Sequence, residues 1–212
     1  AIATVAAQAI SVVLSLVILR RQQLPFAFHR GKLRFHRGLT GHIVRLGIPI
    51  ALQDVLVGIS FLAITAIVNG LGVVISAGVG VAEKLCGFIM LVPSAYMQSI
   101  SAFVAQNIGA KKADRARKAL LYGVLTSLAV GILLGYFSFF HGDLMAALFA
   151  KEADVIAVAA EYLKAYAIDC IFVSFLFCFI GYFNGCGSTT FVMIQGIVGA
   201  FGVRIPVSLM MS

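Results

Sequence analysis

Long apolar runs separated by short polar breaks set the pattern of this chain. The clearest run, residues 76–104, is nearly free of charge. It ends in Gln106-Asn107-Ile108-Gly109-Ala110, and Lys111, Lys112, Arg115, Arg117 and Lys118 follow at once. At ~1.5 Å per residue a helix of that length crosses a hydrocarbon layer ~30 Å thick, and the basic cluster marks the end that stays cytoplasmic. The same pattern predicts spans over residues 1–19, 43–68, 120–140, 160–183 and 191–212. Between them lie a basic connection at 22–42, an uncharged outer turn at 69–72, and a mixed-charge outer connection around 141–154 with room for a short amphipathic helix. A tight cytoplasmic turn is expected at 184–190. Gly and Ser recur in every span, as close helix packing in lipid requires, and no β-barrel alternation is present. The expected fold is an all-α membrane protein with about six transmembrane helices.

Composition agrees: 61% of the 212 residues are hydrophobic and 11% charged, where soluble domains carry about a quarter charged residues. The net charge of +8 is no nucleic-acid signature, because Arg20 to Arg45 and Lys111 to Lys118 form clusters beside spans, where the positive-inside rule puts them. Phe26, Phe28, Leu33 and Phe35 interleave with the first cluster, so that connection is either a solvated linker or a strip lying on anionic lipid. Cys86, Cys170, Cys178 and Cys186 fall in or beside spans without metal-ligand spacing and read as small packing residues. His29, His36, His42 and His141 sit in loops or at span ends, and no hydrolase, zinc or nucleotide-binding motif occurs. An enzyme is therefore not expected, no metal or cofactor is implied, and work would draw on an ion gradient. The first apolar stretch has its cations after it and no initiating Met, which reads as a chain starting inside a transmembrane helix rather than as a secretory signal.

Ionisable residues inside spans each cost ~2.5 to 3.5 kcal/mol at a helix centre, so Asp54, Glu83, Lys84, Asp169 and Arg204 should face protein or water. Counting from the predicted ends puts Asp54 and Asp169 near mid-depth and Glu83, Lys84 and Arg204 in the outer half. Two readings stay open. Arg204 and Lys84 pair with the acids and hold the bundle together, or Asp54 and Asp169 release a proton or accept a small cation and so couple ion movement to substrate movement. Pro49, Pro93 and Pro206 each remove a helical hydrogen bond and allow a kink. Gln53, Gln98, Tyr96, Tyr166 and Asn69 either line a cavity or bond between helices. Phe61, Phe88, Phe172, Phe175, Phe177 and Phe179 read as lipid-facing or core positions.

Leu46-Gly47-Ile48-Pro49, Pro93 followed by Ala105-Gln106-Asn107-Ile108-Gly109-Ala110, the Asp114-Arg115-Ala116 step, Gly181 to Thr189 and Arg204-Ile205-Pro206 together resemble the multidrug and toxic compound extrusion family. The likeness covers nearly the whole chain. It implies one half of a twelve-helix, two-lobe transporter: residues 1–21 ending the first lobe, 22–42 the cytoplasmic inter-lobe linker, and 43–212 helices seven to eleven of the second lobe. It further implies a multi-pass protein of the cell membrane, exporting organic cations or amphipathic drugs by antiport with Na+ or H+, with membrane lipid and the missing N-terminal lobe as partners. Family members with a cation site in this lobe carry acids on helices seven and ten. Asp54 and Asp169 match those helices but stand about one turn earlier, the latter relative to Val173. Gln106, Asn107, Gly109, Asp114 and Arg115 carry the family motif. A lipid-linked precursor flippase of the same superfamily and a membrane-embedded lipid enzyme are the alternatives.

Overall fold

A computed structural model describes residues 2–21 and 36–211; the greater part of the expected linker, with Phe26, Phe28, Leu33 and Phe35, lies outside the described residues. Helix α1 (Ile2–Arg21) forms a unit with the residues up to Gly41, and its apolar part is Val5–Ile18. The second unit, from His42, contains most of α2 (Arg37–Gly70), then α3 (Val73–Gly109), α4 (Ala113–Phe140), the six-residue α5 (Gly142–Ala147), α6 (Ala153–Gly185), α7 (Thr189–Ile197) and α8 (Ile205–Met211). A π-helical turn, Val198–Arg204, joins the last two into one span. Five helices, α2, α3, α4, α6 and this composite span, are long and apolar enough to cross a bilayer.

The helices overrun the apolar runs. Residues 37–42, expected in the linker, already belong to α2, and α6 begins at Ala153 rather than at 160. Once a helix is nucleated, its polar ends continue it at little cost, so hydropathy marks the membrane-embedded part and not the helix. Pro49 and Pro93 lie inside unbroken α2 and α3, whereas Pro206 follows the π turn directly. A proline ring crowds the carbonyl four residues back, and widening the preceding turn relieves that conflict.

Helices α3, α4 and α6 pack directly on one another, and α5 closes one end against α6. Small residues let them approach. A Cβ on Gly181 would stand 2.5 Å from the Met97 carbonyl oxygen, and one on Gly185 2.7 Å from that of Ser101, so the Gly181-x-x-x-Gly185 face of α6 lies against the α3 backbone. Gly131 and Gly135 seat α4 on α6 in the same way, against Ser174 and the Ala167 carbonyl. Two apolar clusters result, one of Val81, Leu85, Cys86, Val155 and Leu163 toward the α5 end, the other of Ile100, Val104, Ala116 and Cys178 toward the basic end.

Both turns at the basic end share one geometry. After α3, the Lys112 amide donates to the Asn107 carbonyl at 2.8 Å and Lys111 to Ile108 at 2.9 Å; after α6, Ser188 donates to Phe183 at 2.9 Å and Gly187 to Asn184 at 3.0 Å. These are Schellman motifs, with Lys111 (φ 57°) and Gly187 (φ 80°) in the left-handed position.

Candidate functional site

Asp54 and Asp169 stand at the midpoints of α2 and α6, and Glu83 lies ~15 Å along α3 from its Val73 end. Asp54, Lys84, Asp169 and Arg204 are exposed on the lobe surface, and Glu83 is half-buried. None of them enters the interior of the α3–α4–α6 bundle.

Arg204 makes its contacts on α2. Its Nη1 donates to Ser60 Oγ at 3.4 Å, and the guanidinium carbon lies 4.5 Å from the centroid of the Phe61 ring. Ser60 is fully buried and gives its own proton to the Val57 carbonyl at 2.7 Å, so Arg204 meets a free lone pair. Of the two readings left open, the one that pairs Arg204 with an acid finds no such ion pair among the described residues, where Arg204 instead makes a long hydrogen bond and a cation–π contact to neutral groups. The π turn carries the side chain toward α2, where an aromatic face offers compensation. Among the described residues, no hydrogen bond or ion pair joins Asp54, Glu83, Lys84 or Asp169 to Arg204; Asp54 is seven residues before Phe61 on α2, ~10 Å down the axis.

Asp169 also borders a groove of about 460 Å³ between α6 and α7, lined by Phe172, Phe175, Phe179, Phe183, Phe191 and Gln195 among others. Three of these phenylalanines were expected to face lipid or core. Their i, i+3, i+7 spacing from Phe172 on α6 was the signal that they share one strip. Gln195 supplies a second polar group at the α7 wall.

The remaining sequence candidates serve the scaffold. Gln53 covers Gly196, so that a Cβ there would stand 2.8 Å from its Nε2; Asn69 accepts a 2.5 Å hydrogen bond from Ser76 across the outer turn. Asn107 is buried and donates through Nδ2 to the Phe103 carbonyl at 2.8 Å, in the last turn of α3 with Gln106 and Gly109. Asp114 lies in the first turn of α4, where a carboxylate complements the helix dipole, and Arg115 is exposed beside it. Phe88 packs on Phe149, ring centroids 6.2 Å apart.

Five spans of this length and hydropathy define a multi-pass helical membrane protein. Residues 49–210 match the MatE family model, and the chain belongs to that family. It is 23% identical over its full length to the probable multidrug resistance protein YoeA of Bacillus subtilis, covering 46% of that protein. To multidrug and toxin extrusion protein 1 of Oryctolagus cuniculus it is 22% identical over 66% of the chain and 24% of the relative. An outward-facing multidrug resistance MATE family transporter of the MOP superfamily superposes with a TM-score of 0.74 at 22% identity, covering 79% of this chain and 37% of the other. A MOP superfamily transporter from Pyrococcus furiosus, whose binding pocket of reverse polarity suggests a different function, matches equally well. The chain thus spans under half the length of these relatives.

Proposed function

We propose that the chain is the second lobe of a secondary transporter of the cell membrane that exports small organic or cationic compounds by antiport with Na+ or H+. In this reading residues 1–21 end the first lobe, 22–42 link the lobes at the cytoplasmic surface, and the other half of the transporter completes the cavity. The observation that carries it is Asp169: a carboxylate halfway along a membrane helix, at the rim of a phenylalanine-lined groove. Facing lipid, such a group costs ~2.5 to 3.5 kcal/mol. Facing a groove that alternately holds a cation and a drug, it gains from both. Amphipathic cations suit that lining because aromatic walls take their apolar body while one carboxylate takes the charge. Asp54, at the same depth on α2, is the second coupling acid, with Glu83, Lys84 and Arg204 as surrounding charges; membrane lipid fills the outer surface.

The test uses the full-length transporter in cells. Asp169→Asn is expected to abolish gradient-driven efflux of a fluorescent organic cation at undiminished membrane abundance, and Asp54→Asn to do the same. Unchanged efflux in both variants overturns the coupling role, and efflux without any imposed Na+ or H+ gradient overturns antiport.

A further inference from the structure

Between the two apolar clusters, the middle of the α3–α4–α6 bundle holds two buried hydroxyls, Ser127 and Ser174. Pro93 of α3 has no N–H to give to the Ile89 carbonyl, so that oxygen lacks its helical donor at a depth where no bulk water reaches. Across from it on α4, Ser127 is 1% exposed and its Oγ has no hydrogen-bond partner. The neighbouring Cys178 thiol on α6 offers that hydroxyl only a weak partner. An internal cavity lies between the helices at this point, lined mostly by apolar groups such as Ile89, Val92, Leu134 and Val173, with Ser127, Tyr166 and Ser174 as its polar side chains, and leaving about 10 Å³ in which the centre of a water molecule can lie. Ser174 spends its proton on the Cys170 carbonyl at 2.8 Å, which leaves its lone pairs free to accept.

We propose that this cavity is a binding site for one ordered water, which donates to the Ile89 carbonyl and exchanges a hydrogen bond with Ser127 Oγ, and so ties α3 to α4 across the middle of the lobe. Size and chemistry both select water. The space admits one small molecule, two to four polar partners are what a buried water requires, and the Ser127 and Ser174 hydroxyls with the Ile89 carbonyl supply that number in an otherwise apolar lining. A bare cation would find no carboxylate among the lining residues to offset its dehydration. The close seat of Gly131, whose Cβ would collide with Ser174 Oγ, keeps α4 near enough for the bridge to form. Water thus replaces the helical hydrogen bond that Pro93 deletes, and α3 has an adjustable joint at its midpoint instead of a rigid one.

Pulsed hydroxyl-radical labelling of the full-length protein in lipid nanodiscs, with bulk water switched to H₂¹⁸O, reads this site through Tyr166. Tyr122, exposed near the basic cluster, is the internal control. Tyr166 is expected to be labelled with oxygen that exchanges at least tenfold more slowly than at Tyr122. In Ser127→Val, which fills the space and removes the hydroxyl, Tyr166 labelling is expected to fall several-fold while Tyr122 is unchanged. An unlabelled Tyr166 in the parent protein, exchange as fast as at Tyr122, or labelling indifferent to Ser127→Val overturns the proposal. Loss of the label when Na+ replaces choline also overturns it, because a cation then holds the site. Should Ser127→Val fail to fold, the exchange rate in the parent protein still decides.

Discussion

Lys111 adopts φ 57°, a left-handed backbone that a side chain enters at a cost of about 1 to 2 kcal/mol, in the position that Gly187 fills at the equivalent turn after α6. Its side chain is exposed, so charge and not packing is what the residue contributes. Lys111→Gly is expected to raise the unfolding free energy of the full-length protein by ~1 kcal/mol, read as a higher midpoint in detergent thermal unfolding. A lower midpoint would mean that the cation makes a contact worth more than the strain. The motif residues around it explain themselves at this scale: Asn107 is the residue whose carbonyl and amide both close the end of α3, so the block that marks the family in sequence is a helix stop in structure.

Among the elements, α3 and α6 meet backbone to backbone, and Gly181 sets the distance. Gly181→Ala drives a methyl into the Met97 backbone, which no rotamer change relieves, and is expected to cost ~1 to 3 kcal/mol of stability. Gly87→Ala, with open space at its Cβ on the exposed side of α3, is expected to be neutral or stabilising by up to ~1 kcal/mol. Equal losses in the two variants, measured by thermal unfolding, would deny that close approach is the reason for Gly181. Helix order and five of the six expected spans were readable from hydropathy because lipid imposes length and polarity on every span, whereas the apolar part of α1, Val5–Ile18, is shorter than the expected 1–19. Helix ends were not, since residues 37–42 and 153–159 lie beyond what hydropathy samples. Which glycines face a neighbour was also hidden, because Gly87 and Gly181 look alike until partners are known. Asp54, Asp169 and Arg204 could be found because charge in a span is rare. Arg204's turn toward Phe61 could not, since it depends on a π-helical step that no local pattern announces.

Across the whole second unit, close packing is uneven. The α3–α4–α6 bundle is joined through backbones, whereas α2 meets the composite last span through side chains, among them Gln53 over Gly196, and Ser60 and Phe61 with Arg204. Regions with few buried contacts open locally at lower cost than the core they border. Under the proposed function, motion at the Asp169 groove therefore has its softest route in α2 and the last helix, and Arg204 is one of the contacts that must break for them to part. A partly exposed cation–π contact with one long hydrogen bond is worth ~1 kcal/mol, a factor of about five in an opening equilibrium. Arg204→Gln in the full-length protein is expected to speed amide hydrogen exchange by that factor around Ser60–Phe61 and within Val198–Arg204, leaving the amides of α3, α4 and α6 as they were. Exchange accelerated evenly through all five spans would make Arg204 a general stabiliser, and unchanged exchange in α2 would remove it as the tie between the two helices.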